Sequence, residues 1–425
     1  MNVSAHRAFA LLRELAFERV SCSQEEKQAA ERLLEESRAA GVQAHIEEFK
    51  APCGMVDHAK LVVTAPYEKE YEVTGYERAA NTPEEGLDAE FYYAEDLLPL
   101  HLQSVKGKAV LINGRLRRKD YEKLQKAGVA AILTYSGTTI DRLSDTDCDI
   151  RKLRETLTEP FGNCVALNMR AADAAEIVRR GAKTMHIELE GESYEGTSQN
   201  VCAVIPGTKY PEEIISFGAH YDSVYFSTGV YDNMAGSVIL MELLRYFAEH
   251  KPERTMKFNW YGSEEQGLLG SKAWVAAHKD ELDKHVLMIN IDVAAATLGH
   301  NVAPVLATDA AVGYVDALMR ELGVACDTKL DIYSSDCIPF ADNGVPAVNL
   351  CRFGAPGANY IHDRNDSLKS GYIDERALDI TLQQALYLAR RVDGAAFFPI
   401  ERKISDEIRK KVDEYLFKDP KSGDR

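Results

Sequence analysis

Apolar runs of strand length alternate along this chain with segments of helical period, and the runs concentrate in its second half. IISFG (214–218), MKFNWYG (256–262) and VLMINIDV (286–293) are each apolar enough for a strand buried on both faces. Behind the first of them, MAGSVILMELLRYF places Val238, Met241 and Leu244 at helical spacing. Near the N-terminus, Ala8, Leu11, Leu12 and Leu15 mark an amphipathic helix. A second helix opens on Ser23-Gln24-Glu25-Glu26, a capping box, and stops at Gly41. AHIEEFK (44–50) reads as a strand that belongs with these opening helices, and NVCAVIPG (200–207) as the next strand resembling the main sheet. The alternation predicts an α/β fold with a mostly parallel sheet flanked by helices.

Polar residues sit where these strands stop, the place where parallel sheets collect ligands. His220 and Asp222 follow the first run, and Asp232 comes just before the helix. Glu264 and Glu265 follow MKFNWYG, Asp292 closes VLMINIDV, and His362 lies in a loop ahead of the last long helix. Imidazole and carboxylate are zinc ligands at about 2.0–2.2 Å. Two ions about 3.5–4 Å apart need a shared carboxylate and several terminal ligands. Taken singly, a strand-end histidine is usually structural and a Glu-Glu pair usually solvated. It is the order H-x-D, D-N, E-E, D, H that makes the set a metal site.

That order resembles the co-catalytic di-zinc aminopeptidase family, which also takes in glutamate carboxypeptidase and glutaminyl cyclase. The resemblance covers residues 195–395 and implies a mixed, mostly parallel sheet flanked by helices. It implies one zinc on His220 and Asp292, a second on Glu265 and His362, and Asp232 bridging both. It makes Glu264 the general base of a metal-bridging hydroxide, and Asp222 the residue that orients His220. It implies a cis peptide at Asp232–Asn233. Manganese or cobalt are substitutes for zinc in such sites. Tyr333 is a candidate oxyanion donor, with aromatic packing as its alternative. Two departures stand out. Ser335-Asp336-Cys337 replaces a common S-D-H, and Asp363 stands where a small hydroxy residue often follows the last histidine. Asp363 is expected to face solvent.

Between the two halves of this pattern, KGKAVLING (106–114), DYEKLQKAG (120–128) and VAAILTY (129–135) form a strand–helix–strand unit. It resembles the protease-associated domain that relatives carry inserted here, where it filters substrates; a spacer is the alternative. The expected domains are 1–57, the N-terminal helical part of the peptidase domain; 58–190, the insert; 191–400, the di-zinc peptidase domain; and 401–425, an amphipathic helix and tail. In the last of these, Ile404, Ile408, Val412, Tyr415 and Leu416 make a stripe for packing on the same chain, with a homodimer contact as the rival.

Composition narrows the function without choosing it. The 425 residues carry a net charge of −17, which excludes the basic face that a nucleic-acid partner requires. No run reaches the length of a membrane span. The first twenty residues include Arg13, Glu14 and Glu18, unlike an export signal, so the eight cysteines read as reduced thiols of a cytoplasmic protein. The leading expectation is a zinc aminopeptidase acting on peptides. Alternatives are a carboxypeptidase or amidohydrolase on acylated amino acids, a cyclase-like acyl transferase, and a binding protein on the same fold.

Overall fold

The computed structural model describes residues 3–355 and 361–418, and forms two compact units. Unit 1 contains residues 1–51 and 197–425, and unit 2 contains residues 52–196. The strands Gln43–Ala65 and Thr184–Ile205 each run unbroken through a boundary, so hydropathy does not mark the transition. The tail segment 419–425, expected to fray, lies outside the described residues.

In unit 1 the strand order is Cys326–Leu330, His300–Leu306, Ala347–Phe353, His285–Ile291, Tyr210–His220, Arg254–Tyr261, and then the end of Thr184–Ile205. Neighbours are parallel except at His300–Leu306 with Ala347–Phe353, and at Arg254–Tyr261 with Thr184–Ile205. The sheet is therefore mixed and mostly parallel, as the resemblance implied. The three strands read from sequence lie side by side at its centre, with Phe217 paired to both Phe258 and Ile289. Phe217 and Phe258 stack at 5.0 Å.

Helix Ala235–Glu249 is buried almost all round its first three turns. Its one buried acid, Glu242, is held by Arg7 of helix Ala5–Glu14 at 2.6 Å, which offsets the cost of burying the charge. Ile404, Ile408 and Val412 of the C-terminal segment bury against Cys337, Ile338 and Phe340, so that stripe packs within unit 1. No cysteine pair forms a disulfide. No described helix is long and apolar enough to cross a membrane.

In unit 2, Val165–Arg170, Ala131–Ser136, Ala109–Leu111 and Leu87–Tyr93 are parallel neighbours in that order. Helix Arg118–Ala127 covers one face through Tyr121 and Leu124 and ends on Gly128, whose φ of 71° is the left-handed C-cap. Helix Ala171–Arg179 covers the other through Ala174 and Ile177.

Candidate metal centre

Parallel pairing brings the polar strand ends together. His220 ends its strand in register with Tyr261, and Gly218 pairs with Asn290 two residues before Asp292. His220, Glu264–Glu265 and Asp292 thus leave three adjacent strands at one edge. The chain turns sharply there: Ser263 and Val293 both adopt left-handed φ, 52° and 54°. Such conformations cost free energy in a residue with a side chain, and they gather at functional sites.

Two ligand clusters form around Asp232. The Nε2 of His220 lies 3.1 Å from Asp232 Oδ1 and 3.5 Å from Asp292 Oδ1. The Nε2 of His362 lies 3.1 Å from Asp232 Oδ2 and 3.0 Å from Glu265 Oε2. Ligands placed tetrahedrally at zinc distances sit roughly 3.3–3.6 Å from one another. At 3.0–3.5 Å the donor pairs come close to that spacing in both clusters, and the two oxygens of one carboxylate face different histidines. The Asp232–Asn233 peptide is cis, as the resemblance implied.

Charge in the site points the same way. Burial alone would lower the His220 pKa, but Glu264, Asp222, Asp232 and Asp292 together raise it well above its ordinary value. Burial likewise opposes, and Glu265 and Asp232 outweigh it, at His362. Burial pushes Glu264 up, with His220 pulling against it and Glu265, Asp336 and Asp292 adding to it. Acids outnumber imidazoles here, and bound cations would balance the excess.

The remaining predicted residues fall close by. Asp222 Oδ1 lies 3.3 Å from His220 Nδ1. Tyr333 is partly buried, edge-on to Phe353, and its pKa is raised by burial and by the charges of Asp292 and Asp232. Both the packing and the site-facing readings of Tyr333 thus hold a place. Asp363, expected in solvent, is partly covered and its Oδ1 accepts from the backbone N–H of Asn365 at 2.6 Å. A short loop turn captures it. Cys337, in place of the common histidine, is fully buried in an apolar cluster.

Sequence reasoning missed the residues that hold the ligands. Asp366 accepts from the backbone N–H of Tyr231 at 2.8 Å and of Asp232 at 3.0 Å, and burial pushes it up to about 7. Arg19 is fully buried and donates to the carbonyls of Tyr221, Thr228 and Gly229, spanning the loop between His220 and Asp232. Asn233 bridges the same loop to the neighbouring strand end, donating to Ile291 O and accepting from Val293 N. Asp336, fully buried, is pushed up to about 7 by burial. No local signal marks Asp366 or Arg19.

Residues 200–389 match the model of Peptidase family M28. The matched segment lies within unit 1. The resemblance drawn from the sequence is borne out by this match. Aminopeptidase YwaD of Bacillus subtilis (strain 168) is 26% identical over 68% of this chain and 64% of its own length. Carboxypeptidase Q of Rattus norvegicus is 23% identical over the same shares. The alignment therefore spans less than two thirds of either relative. Among solved structures, BSAP, a zinc aminopeptidase from Bacillus subtilis, superposes with a TM-score of 0.77 at 20% identity, covering 96% of this chain and 99% of its own. The aminopeptidase from Aneurinibacillus sp. strain AM-1 gives 0.70 at 23% identity over 93% and 96%. At such identities the likeness establishes the fold, including its mixed sheet.

Proposed function

We propose that the protein is a di-zinc aminopeptidase that removes residues from the free amino termini of peptides. The observation that carries this reading is Asp232, whose two oxygens face His220 and His362 in two complete ligand clusters. His220 and Asp292 would hold one zinc, Glu265 and His362 the other. When bound, the ions lower the pKa of the attacking water and polarise the scissile carbonyl. Glu264 stands beside both clusters without belonging to either pair, its Oε2 4.0 Å from His220 Nε2. Its raised pKa suits a group that takes the proton of the attacking water and returns it to the leaving amine. Tyr333 is the candidate donor to the oxyanion. Asp222 fixes the His220 ring, leaving Nε2 for the metal.

The test is a panel of aminoacyl fluorogenic substrates, N-blocked peptides and dipeptides, run beside elemental analysis. Release from free amino termini only, with close to two zinc ions per chain, is the expected result. Cleavage confined to C-terminal residues or acylated amino acids would replace it with the second reading, a carboxypeptidase, which the carboxypeptidase Q relatives favour. One tightly held ion with full activity would favour the cyclase-like alternative. The proposal extends to unit 2 as a protease-associated module that filters substrates, and to a cytoplasmic location, which the absence of disulfides supports.

A further inference from the structure

The turn that carries the two glutamates presents three successive backbone N–H groups to buried carboxylates. Asp222 takes two of them, from Glu264 at 3.0 Å and Glu265 at 3.1 Å. The third, from Ser263, goes to Glu26 Oε1 at 2.9 Å, across 237 residues of sequence. Glu26 is the fourth residue of the capping box, and such a glutamate ordinarily reaches back to the N-cap N–H. Here only half of the box forms. Ser23 Oγ accepts from Glu26 N at 3.0 Å, but Ser23 N donates to the Val20 carbonyl instead. The Glu26 carboxylate accepts from Cys22 N at 2.7 Å through Oε2, while Oε1 also accepts from Ser198 Oγ at 2.9 Å and Ser263 Oγ at 3.3 Å.

Every one of these neighbours donates, and Glu26 is fully buried among them. Gly262 fits against it closely: a Cβ there would sit 2.9 Å from Glu26 Oε1 and 2.6 Å from Gln199 O. Ser263 then has to take its left-handed φ of 52° to deliver the following residues to the site. A strained turn keeps its shape only when its surroundings over-determine it.

We propose that Glu26 is a positioning residue for the catalytic turn, fixing the backbone from which Glu264 and Glu265 project. The inference rests on the reading of Glu264 as the general base, and it makes the N-terminal helix part of the active-site scaffold. Substituting Gln would place an amide donor among donors while preserving shape.

The experiment compares Glu26→Gln with Ser23→Ala, which uncaps the same helix without touching Ser263. For each variant, Tm, zinc content, kcat, KM and backbone hydrogen exchange of the peptide covering 262–266 are measured, the last on metal-free protein. Glu26→Gln is expected to lower kcat by about 10- to 100-fold with KM little changed, the scale of a small misplacement of a catalytic group. Exchange at 262–266 should rise in that variant alone. Ser23→Ala should lower Tm while leaving kcat and that exchange as in the wild type. Equal losses of kcat in both variants, or unchanged exchange at 262–266 in Glu26→Gln, would reduce Glu26 to a helix cap and overturn the proposal. If Glu26→Gln does not fold, Ser198→Ala, which removes one donor to the same oxygen, is read in its place by the same exchange criterion. The exchange arm remains decisive even if the wild type lacks peptidase activity, so failure of the functional reading and failure of this one are distinguishable.

Discussion

Asp222 and Glu264 are joined through the backbone, not through their charges: Oδ1 of Asp222 accepts the N–H of Glu264 at 3.0 Å, and the same oxygen lies 3.3 Å from the His220 ring. One carboxylate thereby sets the direction of a metal-facing imidazole and the position of the proposed base. Asp222→Asn would turn one acceptor into a donor aimed at an N–H. Metal affinity is expected to fall about 10- to 100-fold, the usual loss when the partner of a ligating histidine is altered. Competition with a fluorescent zinc chelator measures it. An unchanged affinity would mean that His220 is held by packing alone.

Glu264 and Glu265 are adjacent but are expected to fail differently. Glu264→Gln removes the proton acceptor and should lower kcat by about 10²–10⁴-fold while zinc content stays at the wild-type level. Glu265→Gln weakens the cluster shared with His362, so its main loss should be in metal stoichiometry. Parallel kinetics and elemental analysis separate the two. Near-normal turnover in zinc-loaded Glu264→Gln would sink the assignment.

Asp366 satisfies the backbone N–H groups of both Tyr231 and Asp232. Truncation to alanine leaves two buried donors with no acceptor at about 1–3 kcal/mol each. Asp366→Ala should therefore lower the urea midpoint markedly and loosen the bridging aspartate, seen as weaker zinc retention on dialysis. A variant with full stability would show that other groups take over those donors.

His285 makes acid sensitivity testable away from the metals. Burial lowers its pKa from the ordinary 6.5 to about 4, with Ser216 Oγ 2.7 Å from its Nδ1. Between those values the unfolded chain binds a proton that the folded protein does not. Stability from this group is fully present above pH 6.5 and is lost as pH falls towards 4. The full loss is on the order of 3 kcal/mol. Urea titrations at pH 7.5 and 5 should show a smaller drop for His285→Phe than for the wild type. Equal drops would assign the acid sensitivity elsewhere.

The central strands and the side chains that cluster at their ends were legible because their signals are local. Each central strand is a short apolar run, and each ligand is a residue of distinctive chemistry at its end. Glu26 was legible only as a helix cap, since its contact with Ser263 crosses 237 residues. Asp366 looked like any polar loop residue, because its partners lie 134 and 135 positions away. The edges of unit 2 were blurred for another reason: strands Gln43–Ala65 and Thr184–Ile205 carry the same alternation on both sides of the transition. Tertiary hydrogen bonding to backbone leaves no periodic trace.

The division of unit 1 into residues 1–51 and 197–425 has a consequence for synthesis. Arg19 and Glu26 leave the ribosome first, yet their partners Tyr221 and Ser263 cannot emerge until all of residues 52–196 has been made. His362 follows later still. The nascent chain thus exposes its N-terminal helices while a complete second unit can already fold. Neither ligand cluster around Asp232 is whole until the loop bearing His362 appears, or in the other case until Asp292 does. Loading of both positions therefore waits until His362 has been made, whereas the group of His220, Asp232 and Asp292 is whole earlier.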